Sequence, residues 1–140
     1  MKHLLFCLFA LLLFSCSDRS DALVGKWMLE EIDYSEHFKG VPDEVKGIIE
    51  QRMASEFERI KGRTFFVFTE EQKLELHAPN FLDKMTVSKG EYRMSGMQDS
   101  VYFDIEIPES YMIVQLDDER LVLKTNEMPK RTLHLKKSKK

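Results

Sequence analysis

The 140-residue chain is poor in cysteine, tryptophan, proline and glycine, with 2, 1, 4 and 6 of them. Both cysteines, Cys7 and Cys16, lie near the N-terminus. A domain downstream of them has no thiol and no disulfide, so packing alone must stabilise it. The glycines are scattered and no G-x-S-x-G elbow occurs, which argues against a phosphate-cradling loop or a serine-hydrolase nucleophile. A basic excess is missing too. The net charge of −3 argues against a nucleic-acid-binding protein, whose footprint is a clustered Lys/Arg surplus. Beyond the first residues only His37, His77 and His134 remain, in a loop and two separate predicted strands. They have no metal-ligand spacing, so no metal and no cofactor are expected. Acidic pairs such as Glu30-Glu31 and Asp117-Asp118 have the pattern of turns and wet faces, not of a buried acid with a raised pKa. No catalytic residue stands out, and the chain reads as non-enzymatic.

Long apolar runs are confined to the start. Lys2 and His3 precede the uncharged stretch Leu4–Phe14. As a helix it would span roughly 16 Å at about 1.5 Å per residue, well short of a hydrocarbon core of ~30 Å. Residues 1–15 therefore have the character of a secretory signal peptide. They end in Leu13-Phe14-Ser15-Cys16, which resembles a bacterial lipobox, although Phe14 is bulkier than the usual residue there. The resemblance implies a diacylglycerol on Cys16, which becomes the new N-terminus after cleavage and anchors the chain in a membrane. Two or three acyl chains give durable attachment at ~0.8 kcal/mol per buried methylene. The rival reading is an ordinary secreted protein with a free thiol. Residues 16–22 read as the lipidated cysteine plus a short polar tether. Ser17, where some lipoproteins carry Asp, resembles an outer-membrane sorting signal. The nearby acids, interrupted by Arg19, loosely resemble surface-display tracts. The expected location is the bacterial cell envelope.

Beyond residue 22 the sequence is globular in character; the whole chain is 43% hydrophobic and 32% charged. One segment has helical spacing. Pro42-Asp43-Glu44 makes an acidic start, and Val45, Ile48, Ile49, Met53, Phe57 and Ile60 then recur at intervals of three and four. Arg59 and Lys61 suit the negative end of the dipole and Gly62 a left-handed stop. Gly47 inside this amphipathic helix marks close packing. The remainder alternates with period two in eight segments: 27–32, 64–69, 73–78, 85–94, 101–107, 111–116, 121–125 and 132–136. In 85–94 the apolar phase changes near Gly90, which predicts a bulge. Turn residues separate the segments. Consecutive short strands of this kind favour an antiparallel up-and-down meander, and eight of them can close into a barrel with no exposed edge. An open sheet with the helix across one face is the alternative. The domain is expected over 23–137, with 138–140 a basic tail.

Gly25-Lys26-Trp27, Lys89-Gly90-Glu91-Tyr92-Arg93-Met94 and Leu116-Asp117-Asp118-Glu119-Arg120-Leu121-Val122-Leu123 together resemble bacterial lipocalin-like domains in their opening, middle and last hairpin. The resemblance implies that Gly25 turns the chain into the first strand and that Trp27 packs at the closed end of the barrel. A cation from the final strand would cover its indole. No arginine stands at the end of that strand, so the role falls to Lys136, or to its neighbour Lys137. The chain also departs from larger lipocalins in carrying a helix between its first two strands.

A barrel of this size is either filled by its own side chains or holds one small ligand. Candidate wall residues are Phe65, Val67, Leu74, Leu76, Tyr92, Met94, Phe103 and Ile105, with the inward face of 65–68 left open. Beyond Met1 the methionines are Met28, Met53, Met85, Met94, Met97, Met112 and Met128, which would suit an adaptable pocket as well as a core. Two functions fit this sequence. One is a lipoprotein whose barrel binds a small apolar or amphipathic molecule. The other is a solid barrel presenting its loops or helix to an envelope protein partner. A cavity in the barrel favours the first, and a filled interior with an exposed apolar patch favours the second.

Overall fold

The computed structural model describes residues 18–125 and 127–139. The segment read as a signal peptide and Cys16 lie outside the described residues. The described chain forms a closed barrel of eight antiparallel strands in sequence order, with β8 hydrogen-bonded back to β1. A short helix, α1 (Arg19–Leu23), leads into β1 (Gly25–Asp33). A long helix, α2 (Asp43–Ile60), connects β1 to β2 (Phe65–Phe68). The meander continues through β3 (Lys73–Pro79), β4 (Met85–Met94), β5 (Ser100–Asp104), β6 (Glu109–Leu116), β7 (Arg120–Thr125) and β8 (Arg131–Lys137).

Up-and-down order gives the barrel two unlike ends. The turns after β2, β4 and β6 lie at the end where β1 starts, together with α1. The links after β1, β3, β5 and β7 lie at the other, so α2 belongs to that second end, the mouth. Alternation then sorts the side chains. Trp27 stands opposite Phe66 and Lys137, and Phe66 stands opposite Leu76. Directly opposed residues share a face, which places this series inside. The buried core runs through Trp27, Phe66, Phe68, Leu74, Tyr92, Phe103, Tyr111, Leu121, Leu123, Leu133 and Leu135.

Several details differ from the expectations drawn from sequence. Residues 19–22 are helical rather than a free tether: Asp18 caps α1 by accepting from the Ser20 N–H, and Leu23 is fully buried. The strand expected over 101–107 stops at Asp104, and Ile107 is exposed. No bulge falls at Gly90, since β3 and β4 keep unbroken register from Lys73–Glu91 to Pro79–Met85. Met85 and Val87 point outward and are exposed, so the apparent change of phase is two apolar residues on a wet face. Gly90 is needed for another reason. A Cβ there would collide with the backbone carbonyl of Asp104, where β5 leaves its neighbour. The register shifts instead occur in β1 at Leu29/Glu31 and in β6 at Ile113/Gln115.

Helix α2 has the predicted span. Gly62 follows it at φ +69°, supplying the left-handed exit. No residue of α2 is fully buried. Phe57 and Ile60 pack against the core, whereas Val45 and Ile48 are exposed. Gly47 does not mark a close approach, because a Cβ there would meet nothing within 4 Å.

Candidate functional site

The closed end is built around Trp27. Its indole Nε1–H donates to the Leu23 carbonyl at 2.7 Å, so α1 satisfies the polar edge of a fully buried ring. The cation above the indole is Lys137, with Nζ 5.0 Å from the ring. Lys136 does not take that role. It is exposed and points the other way, its Nζ 4.0 Å from a Glu30 carboxylate oxygen. Gly25 fits this end for a steric reason. Its φ is +135°, and an added Cβ would sit 2.9 Å from Cε of Lys137.

Around and above Trp27 the interior is occupied by rings. Phe68 meets Tyr92 edge-on at 5.1 Å between centroids, and Phe103 lies 5.7 Å from Phe68 and 5.2 Å from Tyr111. Of the expected wall residues, Leu74, Tyr92 and Phe103 are buried members of this packing, and Leu76, Met94 and Ile105 pack partly buried against it. Phe65 and Val67 do not line the interior. With Phe66 and Phe68 inward, strand alternation turns them out. Phe65 stacks on His77 at 4.4 Å on the outer face, with Lys26 Nζ 3.8 Å above its ring.

A polar cluster that sequence reasoning missed lies inside, toward the mouth. Glu109 opposes Phe103, Tyr111 opposes Val101, and Arg131 opposes the buried Thr125, so all three face inward. The Tyr111 hydroxyl donates to Glu109 Oε2 and accepts from the Arg131 guanidinium at 2.8 Å, and the same guanidinium donates to Glu109 Oε1. Burial, reinforced by Glu109 and opposed by Arg131, holds the Tyr111 phenol well above its ordinary value. Nε of Arg131 is buried with no partner. Alternation over 109–111 and the parity of Arg131 with Leu133 and Leu135 were the available signals, but only the register joins strands twenty residues apart.

Two clefts flank α2 at the mouth. One, of about 360 Å³, has apolar walls of Ile32, Ile49, Met53, Phe57 and Ile60, with Arg52 and Glu56 also lining it. The other, of about 510 Å³, shares Ile32, Tyr34, Met53 and Phe57 and adds the acids Glu30, Glu31, Asp33 and Glu50 with Lys61. Around the same end Phe81, Leu82, Ile107 and Met128 are exposed. Among the described residues no group of acids and histidines is placed to hold a metal ion, and no helix is long and apolar enough to cross a membrane.

No known family's profile and no curated protein sequence matches the chain. Solved structures do. A lipocalin-like protein from Bacteroides uniformis superposes with a TM-score of 0.57 at 14% identity, covering 84% of this chain and 99% of its own. An uncharacterized protein from Bacteroides eggerthii superposes at 0.52 with 13% identity, covering 82% of this chain and 98% of its own. At such identities the likeness shows the fold: an eight-stranded up-and-down barrel of lipocalin-like type.

Proposed function

We propose that this protein is a non-enzymatic lipoprotein of the bacterial cell envelope, acylated at Cys16, that binds a small apolar or amphipathic molecule at the mouth of its barrel. The observation that carries the ligand reading is the cleft of about 360 Å³ under α2. Pockets for small ligands typically run from about 300 Å³ upward and combine apolar walls with a few polar groups. Here β1 and α2 each supply walls, and Arg52 offers a charge for a polar or acidic head. The ligand would lie above the packed rings, not among them, so the expected in-barrel site moves to the mouth. Binding would be driven by burial of its apolar surface, at ~25 cal/mol per Å² before ordering losses.

Residues 18–140, which keep α1 and its contacts with Gln98 and Trp27, test this directly. Expression, native mass spectrometry for co-purifying lipid and titration with fluorescent fatty-acid probes should give a saturable signal. The variant Met53→Trp, which fills the cleft, should abolish it while leaving the circular dichroism spectrum unchanged. Probes that bind Met53→Trp as well as the parent, or no binding across a panel, refute the ligand reading. The second reading, an interaction module, is favoured by the filled interior together with exposed Phe81, Leu82, Ile107 and Met128. It gains if the probe panel fails and Phe81→Ser removes capture of a defined envelope protein. In cells, palmitate labelling lost in Cys16→Ser tests the anchor.

A further inference from the structure

The chain just after Cys16 is fastened to the closed end of the barrel. The backbone N–H of Arg19 donates to Gln98 Oε1 at 2.8 Å, and the Arg19 guanidinium donates to the Gln98 carbonyl at 3.1 Å. The Gln98 amide in turn donates to Asp18 Oδ1 at 2.5 Å. Leu23 is fully buried and takes the indole hydrogen bond of Trp27. These contacts leave no free leash from Asp18 onward. Two peptide units separate Asp18 from Cys16, and they can reach no further than about 7 Å. Met97, beside Gln98 on the β4–β5 turn, is 85% exposed. It is a large apolar side chain held in water close to where the acyl chains begin.

We propose that the closed end of the barrel is a membrane-contacting face, seated on the bilayer that holds the chain's own acyl anchor, with Met97 entering the interface. The proposal rests on acylation of Cys16. The mouth then points away from the membrane. β1 has nine residues, and at ~3.3 Å per residue with the usual barrel tilt this lifts α2 and Phe81 roughly 20–25 Å above the headgroups. The site is thereby presented to the aqueous side and not to lipid in its own membrane. The occupant of the closed end is bilayer and not a protein, because the anchor places bilayer within reach of that end whatever else is present.

The test supplies the anchor chemically. In the mature chain Cys16 is the sole thiol. It is coupled through a maleimide to a dipalmitoyl phospholipid in phosphatidylcholine vesicles containing chain-brominated lipid. Met97→Trp and Phe81→Trp, both at exposed positions that tolerate change, are each read against the parent, whose one indole is Trp27. Bromolipid should quench the indole at position 97 at least about twofold more than that at position 81, with a blue shift only at 97. Equal quenching, or stronger quenching at 81, overturns the proposal. So does shielding at 97 that appears only at high surface density, which marks a second copy as the occupant. Because the anchor is attached in vitro, failure of palmitate labelling in cells refutes acylation without altering the vesicle result, and the two failures are told apart.

Discussion

Lys136 and Lys137 are neighbours with the same chemistry, yet only one reaches the indole of Trp27. Successive side chains of a strand point to opposite faces, and β8 turns Leu133, Leu135 and Lys137 inward. The parity was already visible in the spacing of the two leucines. A partly desolvated cation over tryptophan contributes about 1–2 kcal/mol. Lys137→Ala should therefore lower the urea-unfolding free energy by about that amount, and Lys136→Ala, on a wet face, by less than about 0.5 kcal/mol. Equal losses would remove the assignment. Tyr111 makes a second prediction. Burial raises the folded-state pKa of its phenol above the unfolded value, so its contribution is complete below about pH 10 and fades as pH rises toward the folded value. Melting temperature should fall more steeply above about pH 10 in the parent than in Tyr111→Phe. The variant will retain some slope, because burial also raises the pKa of Tyr92. Parallel profiles would show that Tyr111 does not carry the alkaline loss.

At the scale of elements, α2 stands apart from the barrel it connects. Its last two turns dock Phe57 and Ile60 on the core, while its first half carries Val45 and Ile48 into solvent, the latter 74% exposed. Segments with few buried apolar contacts open at low free energy. Amide exchange over 44–52 should be much faster than in β1 or β7, and slow exchange throughout the helix would contradict its loose seating. Ile48→Ser should change stability by less than about 0.5 kcal/mol, against about 2 kcal/mol for Phe57→Ala. The helix and seven of the strands were legible from their spacings, three-and-four against two, and β2 as a short apolar run between turn residues. Which face of a strand is buried was legible only where one face is polar. In β2 every residue is apolar, so Phe65 and Val67 could not be told from Phe66 and Phe68 until pairing with Trp27 set the parity. Met85 and Val87 misled in the opposite way, since apolar residues on an outer face mimic a change of phase. The Glu109–Tyr111–Arg131 cluster and the cleft under α2 were not legible, since they depend on register between distant strands and on the docking angle of a helix.

At the scale of the whole molecule, closure leaves neither a free sheet edge nor a second core among the described residues. Trp27 reports on the closed end, and the strand component of the amide I infrared band reports on the barrel throughout. Both should therefore be lost at the same denaturant concentration, with any early loss confined to the helical signal of α2. Separate transitions would mean that the two ends of the barrel are independent. Closure also orders events in time. The first strand finds one of its two neighbours only in Arg131–Lys137, so no shut barrel can exist until that segment has been synthesised. An apparatus that engages the leading end while Arg131–Lys137 is still unmade meets a chain that cannot yet lock itself into its final form.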